Sequence, residues 1–173
     1  MATEDPPKKK AEPSARLGAT GEAVRANIRR LRDAQGISAA ELSRKLRGLE
    51  RPIPLIGIQR IEAGTRRVDA DDLVAIAVAL GVSPTTLLMP VHDDDKTLVT
   101  LTGVKQPVTA RAAWHWLNGQ DPITITADST TTRFRAFAWP VFIQNDHERL
   151  IQKIDDLELR AQGVRSLPDG DDK

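Results

Sequence analysis

The sequence predicts a mainly α-helical chain: five short helices forming a domain over residues 17–90, then a small, partly disordered C-terminal region with a terminal helix. Three observations predict it. Cap, apolar helix and glycine stop recur three times in succession, ending at Gly36, Gly64 and Gly81. Within each stretch the apolar residues return at helical spacing. Beyond Pro90 that pattern lapses, and it returns only from about Asp146 to Ala161.

Thr20 reads as the cap of a first helix from about Gly21 to Ala34, with Val24, Ile28 and Leu31 on one face and Gly36 as a left-handed stop. Ser38 opens the second helix, to about Leu46, through a capping box in which its hydroxyl accepts from the Glu41 amide and Glu41 reaches back. Leu42 and Leu46 share one side of it, with Arg44, Lys45 and Arg47 mostly on the others. The third begins near Pro54, a residue tolerated at a helix start, and ends at Gly64. Asp69 caps the fourth, whose apolar side is Leu73, Ile76, Ala77 and Leu80 before Gly81. Ser83-Pro84 opens a short fifth, ended by Pro90.

The chain has 173 residues, long enough for one compact domain and a smaller one. With no Cys, disulfides and cysteine-based metal sites are excluded, and a reducing cytoplasm is the simplest home. The longest apolar run, Leu73 to Val82, is too short to span a bilayer, so no membrane is expected. Residues 1–16 read as a disordered arm: three Pro and the run Lys8 to Lys10 surround no apolar segment, which rules out a signal peptide. A basic arm that tracks a DNA groove is the sharper, less favoured alternative.

Net charge is only +1, which hides an asymmetry. Residues 16–67 hold twelve Lys/Arg against five Asp/Glu, whereas 68–90 and 91–173 are each acidic. The basic excess coincides with two adjacent helices, the second of which turns Ile58 and Ile61 inward and leaves Gln59, Arg60, Arg66 and Arg67 to solvent. Gln and Arg can bond base edges in the major groove in bidentate fashion, and a basic surface neutralises phosphates. The alternative is an ordinary solvated helix surface, disfavoured because charge and pattern coincide. Double-stranded DNA is the expected partner.

Residues 21–90 resemble the Cro/C1-type (XRE-type) helix-turn-helix regulators, also called lambda-repressor-like, through RRLRDAQGISAAELSRKL, IQRIEAGTRRV and DLVAIAVALGVSPTTLL. The opening LGATGEAVRANIRRLRDAQG and the later RAAWHW are also similar to a group of actinobacterial and actinophage regulators. The resemblance implies that helices two and three form the reading unit, with the third in the major groove. It also implies a buried ion pair between Arg32 and Glu62, which would fix helix three against helix one.

Two places depart from the family pattern. RGLERPI separates Leu46 from Pro54, a longer turn than usual; it either adds DNA contacts through Arg47 and Arg51 or is a flexible surface loop. Helix three starts with apolar Leu55 and Ile56, which either contact thymine methyl groups or, the favoured alternative, pack beneath the turn. Candidate base readers are thus Gln59 and Arg60, with Leu55 and Ile56 beside them. Candidate phosphate ligands are Arg44, Lys45, Arg47, Arg51, Arg66 and Arg67.

Residues 91–108 read as an acidic linker with one possible short strand, Leu98 to Thr102. Within 109–163, Thr109 to Leu117 suggests a short helix capped by Asn118-Gly119, although a strand would put Trp114 and Trp116 on one face. The ITITADSTTT stretch reads as loop or disorder, and Arg133 to Phe142 as a segment covering the core. From Asp146 to Ala161, Leu150, Ile154, Leu157 and Ala161 make a helical stripe that either packs internally or pairs two chains, with a homodimer favoured. Residues 164–173 read as a solvated, disordered tail.

An enzyme is not expected. His92, His115 and His147 stand apart from metal partners, and neither a nucleophile motif nor a glycine-rich phosphate loop occurs. No cofactor or metal is called for. The reading is a cytoplasmic, nucleoid-associated DNA-binding regulator, a repressor in its simplest form. The competing class is an antitoxin-like or partner-binding protein that uses the helix-turn-helix as an accessory.

Overall fold

In the computed structural model, which describes residues 17–161, eight helices and two short strands follow one another along the described chain. The N-terminal arm and the C-terminal tail expected from sequence lie outside the described residues. The helices are α1 Ala19–Ala34, α2 Ala39–Gly48, α3 Leu55–Glu62, α4 Ala70–Leu80, α5 Pro84–Leu88, α6 Ala110–Leu117, α7 Thr131–Ala138 and α8 Val141–Ala161. Strands β1 Leu98–Val99 and β2 Val108–Thr109 lie between α5 and α6. The chain divides into two units, one ending at Asn118 and the other beginning at Gly119.

Helices α1 to α5 exist because their apolar stripes meet in one core: Val24 and Ile28, Leu42 and Leu46, Ile58 and Ile61, Ile76, Ala77 and Leu80, and Leu87 are all buried. Ile53, from the long turn, joins them. Each of these side chains removed from water contributes about 1.5–3 kcal/mol, alanines less. Polar groups carried inside are bonded: buried Asn27 donates from Nδ2 to the carbonyls of Leu87 and Met89, at 3.0 and 2.7 Å, and so ties α1 to the end of α5.

Local chemistry sets the boundaries. Ser38, Asp69 and Ser83 accept from the backbone N–H three residues on, as N-caps do. Among the described residues only the forward half of the Ser38–Glu41 capping box forms. Gly64 and Gly81 adopt positive φ and end α3 and α4 with paired bonds back into the last turn. The second helix stops the same way on a residue ill suited to it. Glu50 sits at φ 57°, with its N–H on the Arg47 carbonyl and the Arg51 N–H on that of Leu46.

The start of α1 differs from the sequence reading. Gly18 is the N-cap, the helix begins at Ala19, and Thr20 lies inside it. The orphan N–H of Thr20 donates to Thr102 Oγ1 at 3.2 Å, and the Thr102 N–H donates to Thr20 Oγ1 at 2.9 Å. A Cβ on residue 18 would lie 2.6 Å from Thr102 Oγ1, so glycine makes room for a cap delivered from far along the chain.

Residues 91–108 are correspondingly more than a linker. β1 pairs antiparallel with β2, Leu98 opposite Thr109 and Val99 opposite Val108, and Val99 and Leu101 are buried. α6 follows directly, capped by Thr109, with Ala110 and Ala113 as its buried face. Trp114 is exposed and Trp116 half-buried, so the helical alternative holds with small residues, not tryptophans, inward.

In the second unit, Trp139 is the gathering point: its Nε1 donates to the Gly119 carbonyl, Arg135 lies over its ring, and His147 meets it edge-on at 5.1 Å. The expected core cover at Arg133 to Phe142 is not found. That segment is α7 and the start of α8, α7 buries no residue, and Phe137 is 82% exposed. Pro140 precedes α8, which therefore starts five residues before Asp146.

Candidate nucleic-acid interface

Helix α3 has one inner and one outer face. Gly57, Ile58 and Ile61 are buried, while Leu55, Ile56, Gln59 and Arg60 are exposed. Those four positions, spaced i, i+1, i+4 and i+5, make one contiguous outer stripe. Leu55 and Ile56 are 42% and 54% exposed, so they do not pack beneath the turn as favoured from sequence. Ile53 occupies that space instead.

The outer face is held in place from behind. Arg32 donates from Nε and Nη2 to the two carboxylate oxygens of Glu62, at 2.7 and 3.1 Å, and from Nη1 to the Ile37 carbonyl. Hydrogen bonding to Glu62 holds the Arg32 guanidinium above even its ordinary pKa, against a smaller opposing effect of desolvation. The residues named for this pair in the sequence are brought together.

The long turn Leu49 to Pro54 is pinned along its length. Ser43 donates its hydroxyl to the Ile53 carbonyl at 2.7 Å, and Arg51 reaches Asp72 at 2.8 Å and Asp69 at 3.0 Å. Arg66 meets the second oxygen of Asp72, also at 2.8 Å, and its guanidinium crosses Gly57, where a Cβ would lie 2.7 Å from Nη1. Asp72 is buried, so its charge is compensated by two arginines. The Asp69 carboxyl is held below the usual carboxylate range, first by the Asp72 backbone N–H and then by Arg51. Nothing in the sequence announces this clasp beyond the capping role of Asp69.

The six expected phosphate ligands therefore separate. Arg51 and Arg66 are committed to the carboxylates that open α4, and a phosphate would compete with Asp72 for them. Lys45 donates to the Ala79 carbonyl in the last turn of α4, where a cation suits the helix dipole. Arg67 is exposed. Arg44 and Arg47 on α2, like Gln59 and Arg60 on α3, are exposed and make no side-chain hydrogen bond or ion pair among the described residues.

Among the described residues no group of His, Asp and Glu is placed to hold a metal ion, and no helix is long and apolar enough to cross a membrane. No curated protein and no solved structure matches the chain. A family model described as helix-turn-helix matches residues 28–87, from the middle of α1 to the last turn of α5. That span contains the core apart from Val24, the Arg32–Glu62 fork and the exposed face of α3. Residues 28–87 are thus similar to the Cro/C1-type helix-turn-helix domain, over about a third of the chain.

Proposed function

We propose that the chain is a sequence-specific transcriptional regulator that lays α3 in the major groove of double-stranded DNA and acts as a repressor by occupying its operator. The observation that carries this is the outer stripe of α3. Gln59 offers a paired donor and acceptor and Arg60 paired donors to base edges, and Leu55 and Ile56 offer apolar contact to thymine methyl groups. Leucine and isoleucine left open to water at the start of an eight-residue helix weaken a monomer's surface and suit a groove wall.

Arg44 and Arg47 on α2 and Arg67 after α3 are the proposed phosphate ligands, with Arg51 and Arg66 holding the turn and α3 in position. Two copies would read an inverted repeat with half-sites about one helical turn apart. The simplest setting is the cytoplasm, on the nucleoid.

Selection from a random double-stranded oligonucleotide pool tests this. One motif is expected to be enriched by the native chain and lost when Gln59 and Arg60 are both replaced by Ala. No enrichment over the starting pool at moderate salt would overturn the proposal.

A further inference from the structure

Helix α8 exposes apolar side chains along most of its length: Ile143, Leu150, Ile151, Ile154 and Leu157 are between 38% and 63% exposed. The side chain of Ala161, the last member of the stripe expected from sequence, lies outside the described residues. These positions follow a heptad. Ile143, Leu150 and Leu157 occupy successive d positions, with His147 and Ile154 at the intervening a positions. Facing away are Asn145, Glu148, Arg149, Gln152, Asp155 and Asp156, with Leu159 the apolar exception.

We propose that α8 pairs with α8 of a second copy as a parallel, two-stranded coiled coil. Two features select this occupant. An isoleucine at a between leucines at d favours two strands over three or four. The flanking charges agree: parallel pairing sets Lys153, at g, against the partner's Glu158, at e, twice across the two-fold axis. Antiparallel pairing would oppose the two Lys153 side chains and leave Glu158 without a cation.

A lipid surface fits poorly, because residues 141–159 carry five carboxylates against two cations. A different protein would have no need of a seam whose flanking charges complement themselves. The pairing stands independently of what α3 reads, and its test contains no DNA.

The test uses the full chain. Sedimentation equilibrium is expected to show a reversible dimer for the native protein and a monomer for Ile154→Asp. Helical circular dichroism should show Ile154→Asp still folded, since residue 154 is exposed in the single chain. Lys153→Glu and Glu158→Lys alone should each weaken the dimer roughly tenfold, and the two together should restore most of it. Orientation is read by disulfide trapping, which the absence of native cysteine makes clean. Leu157→Cys cross-links on oxidation if the strands are parallel, because equivalent d residues face each other. In the antiparallel arrangement Leu157 faces the partner's His147, and the two thiols would stand about 15 Å apart. A monomeric native chain overturns the proposal, as does a dimer that Ile154→Asp leaves intact or one that Leu157→Cys does not trap. Binding of anionic vesicles by α8 in place of self-association overturns it as well.

Discussion

Arg32 and Glu62 form a two-pronged bond, Nε to Oε1 and Nη2 to Oε2, with side chains only 14% and 11% exposed. It joins the last turn of α1 to the end of α3, so the direction of α3 depends on a contact that faces no ligand. Glu62→Ala should lower unfolding free energy by up to about 3 kcal/mol, because it takes the two-pronged partner from a largely buried guanidinium and leaves it only Asp33 and the Ile37 carbonyl. Replacing both residues with apolar ones of similar volume should cost clearly less than the two single losses combined. Urea unfolding of the four proteins checks it; additivity within about 0.5 kcal/mol would mean the two are not coupled.

Gln59→Ala and Arg60→Ala should each weaken operator binding by about 1–3 kcal/mol and relax preference at particular base pairs, with little change in thermal stability. Leu55→Ala and Ile56→Ala should reduce discrimination of thymine alone. Comparison of the motifs selected by each variant is the measurement. An unchanged motif for both polar variants would remove them from the reading surface.

Salt dependence separates the arginines. Arg44→Ala and Arg47→Ala should each lower the slope of log affinity against log salt by about 0.9 while leaving the urea midpoint alone. Arg51→Ala and Arg66→Ala should do the reverse, lowering the urea midpoint because each leaves the buried Asp72 carboxylate with one arginine in place of two. A native urea midpoint for Arg66→Ala with a reduced salt slope would reassign that side chain to the DNA.

Glu50→Gly should stabilise the chain by about 0.5–1 kcal/mol, since a Cβ is disfavoured at φ 57° and glycine is not. Thermal unfolding reads this directly. A lower melting temperature would show that the Glu50 side chain makes up for its own backbone strain.

The helices of the first module were legible because each is announced by neighbours in sequence: a Ser or Asp that accepts from three residues on, an apolar period, a glycine at positive φ. Arg32 and Glu62 were legible through resemblance, and no local rule would have paired them. What escaped was long-range. That Arg51 and Arg66 share Asp72 depends on where the end of a turn and the start of α4 meet, and their charge alone reads equally well as a phosphate ligand. β2 was missed because two residues, Val108 and Thr109, are too few to alternate. The cap of α1 was misplaced by two residues, at Thr20 and not Gly18, because its side-chain acceptor comes from Thr102, which no local window contains.

That borrowed cap bears on how portable the module is. The family span ends at Leu87, and a graft or truncation drawn there would keep every core leucine and isoleucine of α1 to α5. It would also discard Thr102, leaving the first turn of α1 with a glycine at its cap and an unanswered Thr20 amide. The N-terminal turn of such a fragment should exchange its amide hydrogens faster than the same turn in the whole chain. The hairpin after Pro90 thus works as a latch on the first helix, fastened from beyond the end of the matched domain.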